Sequence, residues 1–242
     1  MESKSCVIYQ PGGLGDILWV QKIVDVIISE GYTVYYPVGK EYYDIVSQYI
    51  KKENLIWKRE QEDFPLREHY GQGRVFQTDT QLYLPLSFAD RYFPSCSVMI
   101  SKYYFVSVPL SDHRKHFELD RNYEREQKLI DTYEFNGDYV LQNKSFGTHS
   151  QDRQFNIDTN LRVHVMNMEQ DKKNGFHLFD WIGALENARE IHTVETSMCY
   201  LIDKYCTKTK LHMYEKRKEN DENTYYNNVA LVYRNPDWIY EN

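Results

Sequence analysis

A short apolar strand that empties into a glycine turn, and from there directly into a helix, leaves a chain few folds to choose from. Here Cys6-Val7-Ile8-Tyr9-Gln10 leads into Pro11-Gly12-Gly13-Leu14-Gly15-Asp16, and Ile17, Val20, Ile23, Val24, Ile27 and Ile28 then recur at helical spacing. Gly31 stands where a helix of that phase ends. Thr33 to Val38 reads as a second strand, Tyr42 to Ile50 as a helix and Leu55 to Lys58 as a third strand. Together they make the βαβαβ half of a doubly wound sheet. The glycines let backbone N–H groups approach a ligand, and the new helix offers its positive end.

From Gln61 to Asp120 the rhythm is lost. Arg74 to Leu86 has strand character, but Pro65, Pro85, Pro94 and Pro109 interrupt any long helix. A polar helix is expected from Arg121 to Tyr133, and Asn136-Gly137 breaks the chain. Strand and helix then alternate again: Asp138 to Gln142, Leu161 to Met168, a helix over His177 to Ala188, Ile191 to Val194, a helix over Thr196 to Cys206, and Lys210 to Tyr214. The run from Glu215 to Asn223 is charged, and Tyr225 to Tyr240 has apolar residues suited to a closing helix or tail. The expected fold is α/β, with two Rossmann-like βαβ lobes facing across a cleft. The lobes would span 1–135 and 136–223, with 224–242 a C-terminal closing segment.

The 242 residues, 41% of them hydrophobic, suffice for a core. A net charge of −7 argues against general electrostatic capture of nucleic acid. Cys6, Cys96, Cys199 and Cys206 form no CxxC pair, and no His/Cys run has zinc-ligand spacing, so no metal site is expected. Reduced thiols suit a cytoplasmic protein. Met1 to Lys4 leads straight into a strand, with no secretory leader, and no apolar run reaches the roughly 20 residues of a membrane span.

Four constellations are candidates for chemistry. Asp16, at the mouth of the first turn, either caps the helix or acts as a base on a ligand. The spacing there is not GxGxxG, strand two ends without a clean acidic residue, and there is no P-loop lysine. Glu195-Thr196-Ser197 ends one strand and opens a helix; it is either an ordinary cap or an anion seat, with Glu195 accepting from a ribose diol. The loop from Lys144 to Arg153, with Ser145 and Thr148, is either solvated or equipped for a diphosphate. His113 and Arg114, with Asp79 and Arg91, are either surface residues or contacts to an acceptor.

Gly15-Asp16-Ile17-Leu18 after a first strand resembles the Gly-Asp-hydrophobic-Leu motif of the heptosyltransferase-like (GT9-like) glycosyltransferases of the GT-B fold. His177 to Cys206 resembles their donor site, with Glu195-Thr196-Ser197 where the family has Asp-Thr-Gly. The family's histidine a few residues later has no counterpart; Tyr200 sits near that place. The compact, Tyr- and Asn-rich chain looks like a viral or phage-type member. The resemblance implies an inverting, metal-independent transferase that takes a UDP- or GDP-linked sugar as co-substrate and needs no other cofactor. Its acceptor would be a glycan or another hydroxyl; DNA is disfavoured by net charge. Asp16 would be the general base. Gly13, Gly15, Lys144, Ser145, Thr148, Arg153, Glu195, Thr196 and Ser197 would hold the donor, and Asp79, Arg91, His113 and Arg114 the acceptor. The competing readings are a Rossmann-type NAD- or SAM-dependent enzyme and a non-catalytic nucleotide- or sugar-binding module.

Overall fold

The computed structural model describes residues 3–145, 155–207, 209–214 and 238–241. The chain divides into two compact units, Met1–Asp120 and Arg121–Asn242. The boundary falls earlier than the break near residue 136 expected from the sequence.

In the first unit the order is β1 (Lys4–Ile8), α1 (Leu14–Trp19), α2 (Gln21–Ser29), β2 (Tyr32–Val38), α3 (Lys40–Tyr49), β3 (Leu55–Arg59), β4 (Phe76–Gln77), β5 (Gln81–Leu84), α4 (Ala89–Tyr92) and α5 (Val98–Phe105). The single helix expected after the glycine turn is in fact two, α1 and α2, parted at Val20. Gly31 does follow the helix end, with φ 88, a left-handed conformation that glycine adopts without strain. The sheet order is β3-β2-β1-β5-β4, parallel except for the β4–β5 hairpin at its edge. That hairpin falls within Arg74 to Leu86, where strand character is expected; its first strand, β4, is only two residues long. Val7, Ile8, Val34, Tyr36 and Tyr83 of the strands are buried, as are Ile17, Leu18, Ile23 and Val24 of the helices. Each such burial is worth roughly 1.5–3 kcal/mol.

In the second unit the order is α6 (Tyr123–Thr132), β6 (Tyr139–Asn143), β7 (Arg162–Val165), α7 (Met168–Lys173), α8 (Ile182–Asn187), β8 (Glu190–Val194), α9 (Met198–Tyr205), β9 (Lys210–Tyr214) and β10 (Trp238–Glu241). The sheet runs β10-β9-β8-β6-β7, and every pairing is parallel. β10 is thus an edge strand of this sheet; the last residues of the expected closing segment belong to the second unit's core architecture. Ionic contacts account for the placing of α6. Arg125 reaches the fully buried carboxylate of Asp180 at 2.7 Å, and Arg121 bridges Glu126 at 2.6 Å and Glu186 at 2.7 Å. Gly137, with φ 70, is a turn between α6 and β6, not a domain linker.

Candidate active site

In each sheet the order of strands reverses beside the first strand of the unit, between β1 and β5 and between β6 and β8. Ligands of doubly wound sheets lodge beyond the carboxyl ends of the strands at such a point. Both turns singled out in the sequence sit there.

The first turn is braced from two sides. Gly39 N–H donates to the Pro11 carbonyl at 2.9 Å. The Gln10 amide donates to the Gly12 carbonyl at 3.0 Å and accepts from the Ser87 hydroxyl at 3.3 Å. Gly13 has φ 76, and a Cβ there would come within 2.6 Å of Asp16 Oδ2. Gly13, not Asp16, is the N-cap of α1, and no side chain caps that end. Asp16 is therefore not the N-cap; it is an acidic residue of the first turn of α1. Its Oδ1 instead lies 2.8 Å from Lys102 Nζ; the lysine side chain is 1% exposed and the aspartate 30%. Lys102 comes from α5, which is fixed by Trp19 Nε1 donating to Met99 O at 2.7 Å and by the Tyr103 hydroxyl donating to Trp19 O at 2.6 Å. Nothing in the sequence marks this lysine, because α5 belongs to the stretch without readable elements. The buried Tyr36 hydroxyl on β2 has no hydrogen-bond partner among the described residues. Its own burial, and then the charge of Asp16, hold its pKa well above the ordinary phenol value.

Arg91 lies at the same end of the sheet, just past β5. Its guanidinium sits 4.3 Å over the Phe88 ring, which in turn stacks on Tyr9 at 5.5 Å. Asp79 does not join them. It precedes Gln81, whose partner in β1 is Ser5, and so stands beyond the amino end of the sheet. An acceptor contact from Asp79 to a group at Asp16 is ruled out by that polarity. His113 begins a 3-10 turn, His113–His116, that also holds Arg114. The His113 ring packs 4.4 Å from that of Trp19, with Nδ1 3.0 Å from Leu110 O. Burial pushes its pKa down to about 4.

At the second reversal, Asn143 closes β6. Its amide donates to the hydroxyls of Thr193 at 3.1 Å and Thr196 at 3.3 Å, while its Oδ1 accepts from Ser145 N–H at 3.3 Å. One side chain thus brings the Lys144-Ser145 segment and the Glu195-Thr196-Ser197 turn together. Both segments were expected to hold the donor; Asn143 was missed, since an isolated asparagine at a strand end carries no sequence signal. Thr196 Oγ1 also accepts from Met198 N–H at 3.3 Å, which fixes the first turn of α9. Glu195 is buried to 9% exposure. Thr148 and Arg153 lie outside the described residues.

A further cluster is assembled across two strands and carries no linear ligand spacing. Glu190 and His192 alternate onto one face of β8, and β9 sets Lys210 and His212 beside them. Burial lowers the His192 pKa, against the opposing pull of Glu190. For Glu190 burial works upward but is outweighed by hydrogen bonds from His192 and Lys210, and its pKa falls.

Among solved structures the chain is similar to a glycosyl transferase of family 9 from Veillonella parvula, at 9% identity and a TM-score of 0.56, over 100% of this chain and 87% of the other. It also matches the E. coli heptosyltransferase WaaC with ADP, at 11% identity and a TM-score of 0.43 over 89% and 88% of the two chains. A third match is E. coli ADP-heptose LPS heptosyltransferase II, at 8% identity and 0.45 over 87% and 84%. The likeness to the Veillonella protein establishes the fold: α/β, in two parallel-rich units, of the GT-B type. No family model matches the chain, and no curated protein is similar to it.

Proposed function

We propose that this chain is a glycosyltransferase that moves a sugar from a nucleoside-diphosphate donor to an acceptor hydroxyl with inversion. The observation that carries the reading is the state of Asp16: a partly exposed carboxylate at the strand-order reversal of the first unit, not consumed by a helix cap and steadied through one oxygen by a buried ammonium. An acceptor hydroxyl would give its proton to this carboxylate as its oxygen attacks the anomeric carbon. In the second unit the turn after β8 would bind the donor. N–H groups at the start of α9, with Ser197 and Lys144, would stabilise the departing diphosphate, and Glu195 would meet the ribose. Thr148 and Arg153 would join them from the same loop as Lys144. With that donor set the diphosphate needs no metal. Gly13 and Gly15 serve by letting the first turn pass close to a substrate, and Arg91 faces an acceptor carrying negative charge.

The test is a ligand panel on the intact chain: UDP, GDP and ADP against NAD and S-adenosylmethionine, read by thermal shift and calorimetry. A nucleoside diphosphate at 100 times its dissociation constant should stabilise the protein by about 2.7 kcal/mol. A response to NAD or S-adenosylmethionine alone overturns the reading in favour of a different Rossmann-type enzyme. Nucleoside-diphosphate binding without transfer to any acceptor tried points to a binding module.

A further inference from the structure

One face of the second sheet gathers a carboxylate and two imidazoles onto a single point. Strand alternation places Glu190 and His192 on that face of β8, and the register sets Lys210 opposite Glu190 and His212 opposite His192. Glu190 Oε1 lies 2.9 Å from His192 Nε2 and 2.8 Å from His212 Nε2. The three atoms all fall within 4.8 Å of one another, and among the described residues no other such group occurs. We propose that Glu190, His192 and His212 bind one divalent first-row transition cation, of which zinc is the representative.

The donor set selects the class. Two imidazole nitrogens with one carboxylate oxygen suit zinc and its neighbours, whereas calcium and magnesium take oxygen ligands. Bonds of about 2.0–2.2 Å to the cation would set its ligand atoms roughly 3–3.5 Å apart, so the Glu190 oxygen need move away from the two nitrogens by only a few tenths of an ångström. The supporting contacts fit the same role. The rings of His192 and His212 stack at 4.2 Å with 5° between their planes, and both Nε2 atoms approach the same carboxylate oxygen; on binding a cation the two rings would turn so that each lone pair points at it. His192 Nδ1 lies 2.9 Å from the Tyr214 hydroxyl; with a cation on Nε2 the Nδ1 proton would be donated to that oxygen, whereas in the structure Nε2 faces the Glu190 carboxylate at 2.9 Å. Phe155 stacks on Tyr214 at 3.9 Å and backs the site. Glu190, 20% exposed, leaves a side open through which a cation enters and water completes the coordination.

Lys210 Nζ stands 3.2 Å from the same Oε1, on a side chain that is 55% exposed. It is the cation's competitor and can withdraw into solvent. The cluster also lies within the strands, whereas the proposed diphosphate seat lies past the end of β8 at Val194, in the turn that holds Thr196. The cation would therefore clamp β8 to β9 and leave the diphosphate untouched.

The experiment uses the full chain, stripped with a chelator and then given Zn2+ or Co2+ alone. Calorimetry should show one equivalent bound, Zn2+ should raise the melting temperature, and a chelator should reverse the rise. Co2+ should give d–d absorption without the intense charge-transfer band of a cysteine ligand. His212→Ala and Glu190→Gln should weaken Co2+ binding at least tenfold. Lys210→Met, at an exposed site that should fold normally, should tighten it several-fold. Absence of stoichiometric binding, a thiolate band, full affinity in Glu190→Gln, or unchanged affinity in Lys210→Met each overturns the proposal. None of these outcomes depends on sugar transfer, so the ligand panel and this titration fail independently.

Discussion

The two strand-order reversals share a backbone plan and differ in what they do with charge. In the first unit an aspartate faces a buried lysine across 2.8 Å. In the second, the same position in the topology is held by an amide and two hydroxyls: Asn143, Thr193 and Thr196. A neutral network can orient N–H and O–H donors towards an anion, but it cannot take up a proton near neutral pH. A carboxylate can accept the proton of a hydroxyl as that hydroxyl attacks, and Lys102 holds the Asp16 carboxylate in place. Under the proposed function this difference would separate proton transfer, in the first unit, from ligand holding, in the second.

The largest effect that could break this division is on turnover. Asp16→Asn keeps the shape of the side chain and removes its basicity. Sugar transfer should fall by about 10²- to 10⁴-fold while the affinity for a nucleoside diphosphate, measured by calorimetry, stays as it was. Equal losses in both would abolish the distinction between the units. Next in size is a stability effect confined to the first unit. Lys102→Met strands the Asp16 carboxylate beside apolar surroundings. Because Asp16 is 30% exposed, solvent recovers part of the cost of a broken buried pair, leaving about 2 kcal/mol in urea denaturation. Adding Asp16→Asn to that variant should cost less than the sum of the two single changes.

What the sequence disclosed follows the same contrast between local and distant causes. The glycine turn, β1, β2 and the turn after β8 were legible because strand period, helix period and glycine placement are local signals. The cation facing Asp16 was not, since Lys102 lies in a proline-broken stretch and acts only through tertiary packing of α5 against Trp19. Asn143 and the Glu190–His192–His212 cluster were hidden for a related reason. Their partners sit on neighbouring strands, where pairing register, not sequence spacing, decides who meets. Asp79 erred in the other direction: its residue type suited an acceptor site, but the hairpin carries it to the amino end of the sheet.

In the second unit the matching perturbation is Asn143→Ala. It removes the amide that ties β6 to the turn after β8 and leaves the hydroxyls of Thr193 and Thr196 to find other partners. The loss should be about 1–2 kcal/mol of stability. Nucleoside-diphosphate affinity should weaken by about tenfold, equivalent to 1.4 kcal/mol. Turnover at saturating donor should stay close to wild type, the reverse of the Asp16→Asn pattern. A fall in saturated turnover with intact affinity would show that the second unit, too, takes part in the chemical step.

The smallest effect concerns the support of α1, the helix that carries Asp16. His113 packs against Trp19 at the end of that helix, and burial lowers its pKa from 6.5 to about 4. Between those values the unfolded chain binds a proton that the folded chain refuses, so stability rises with pH and is progressively lost as pH falls from 6.5 towards 4. Replacing His113 with Phe keeps a ring against Trp19 and removes the titration. Thermal denaturation across that window should then show a shallower pH dependence in His113→Phe than in the wild type. An unchanged slope would move its origin to another group, His192 in the second unit being the first to examine, because its lowered pKa gives a dependence of the same sign.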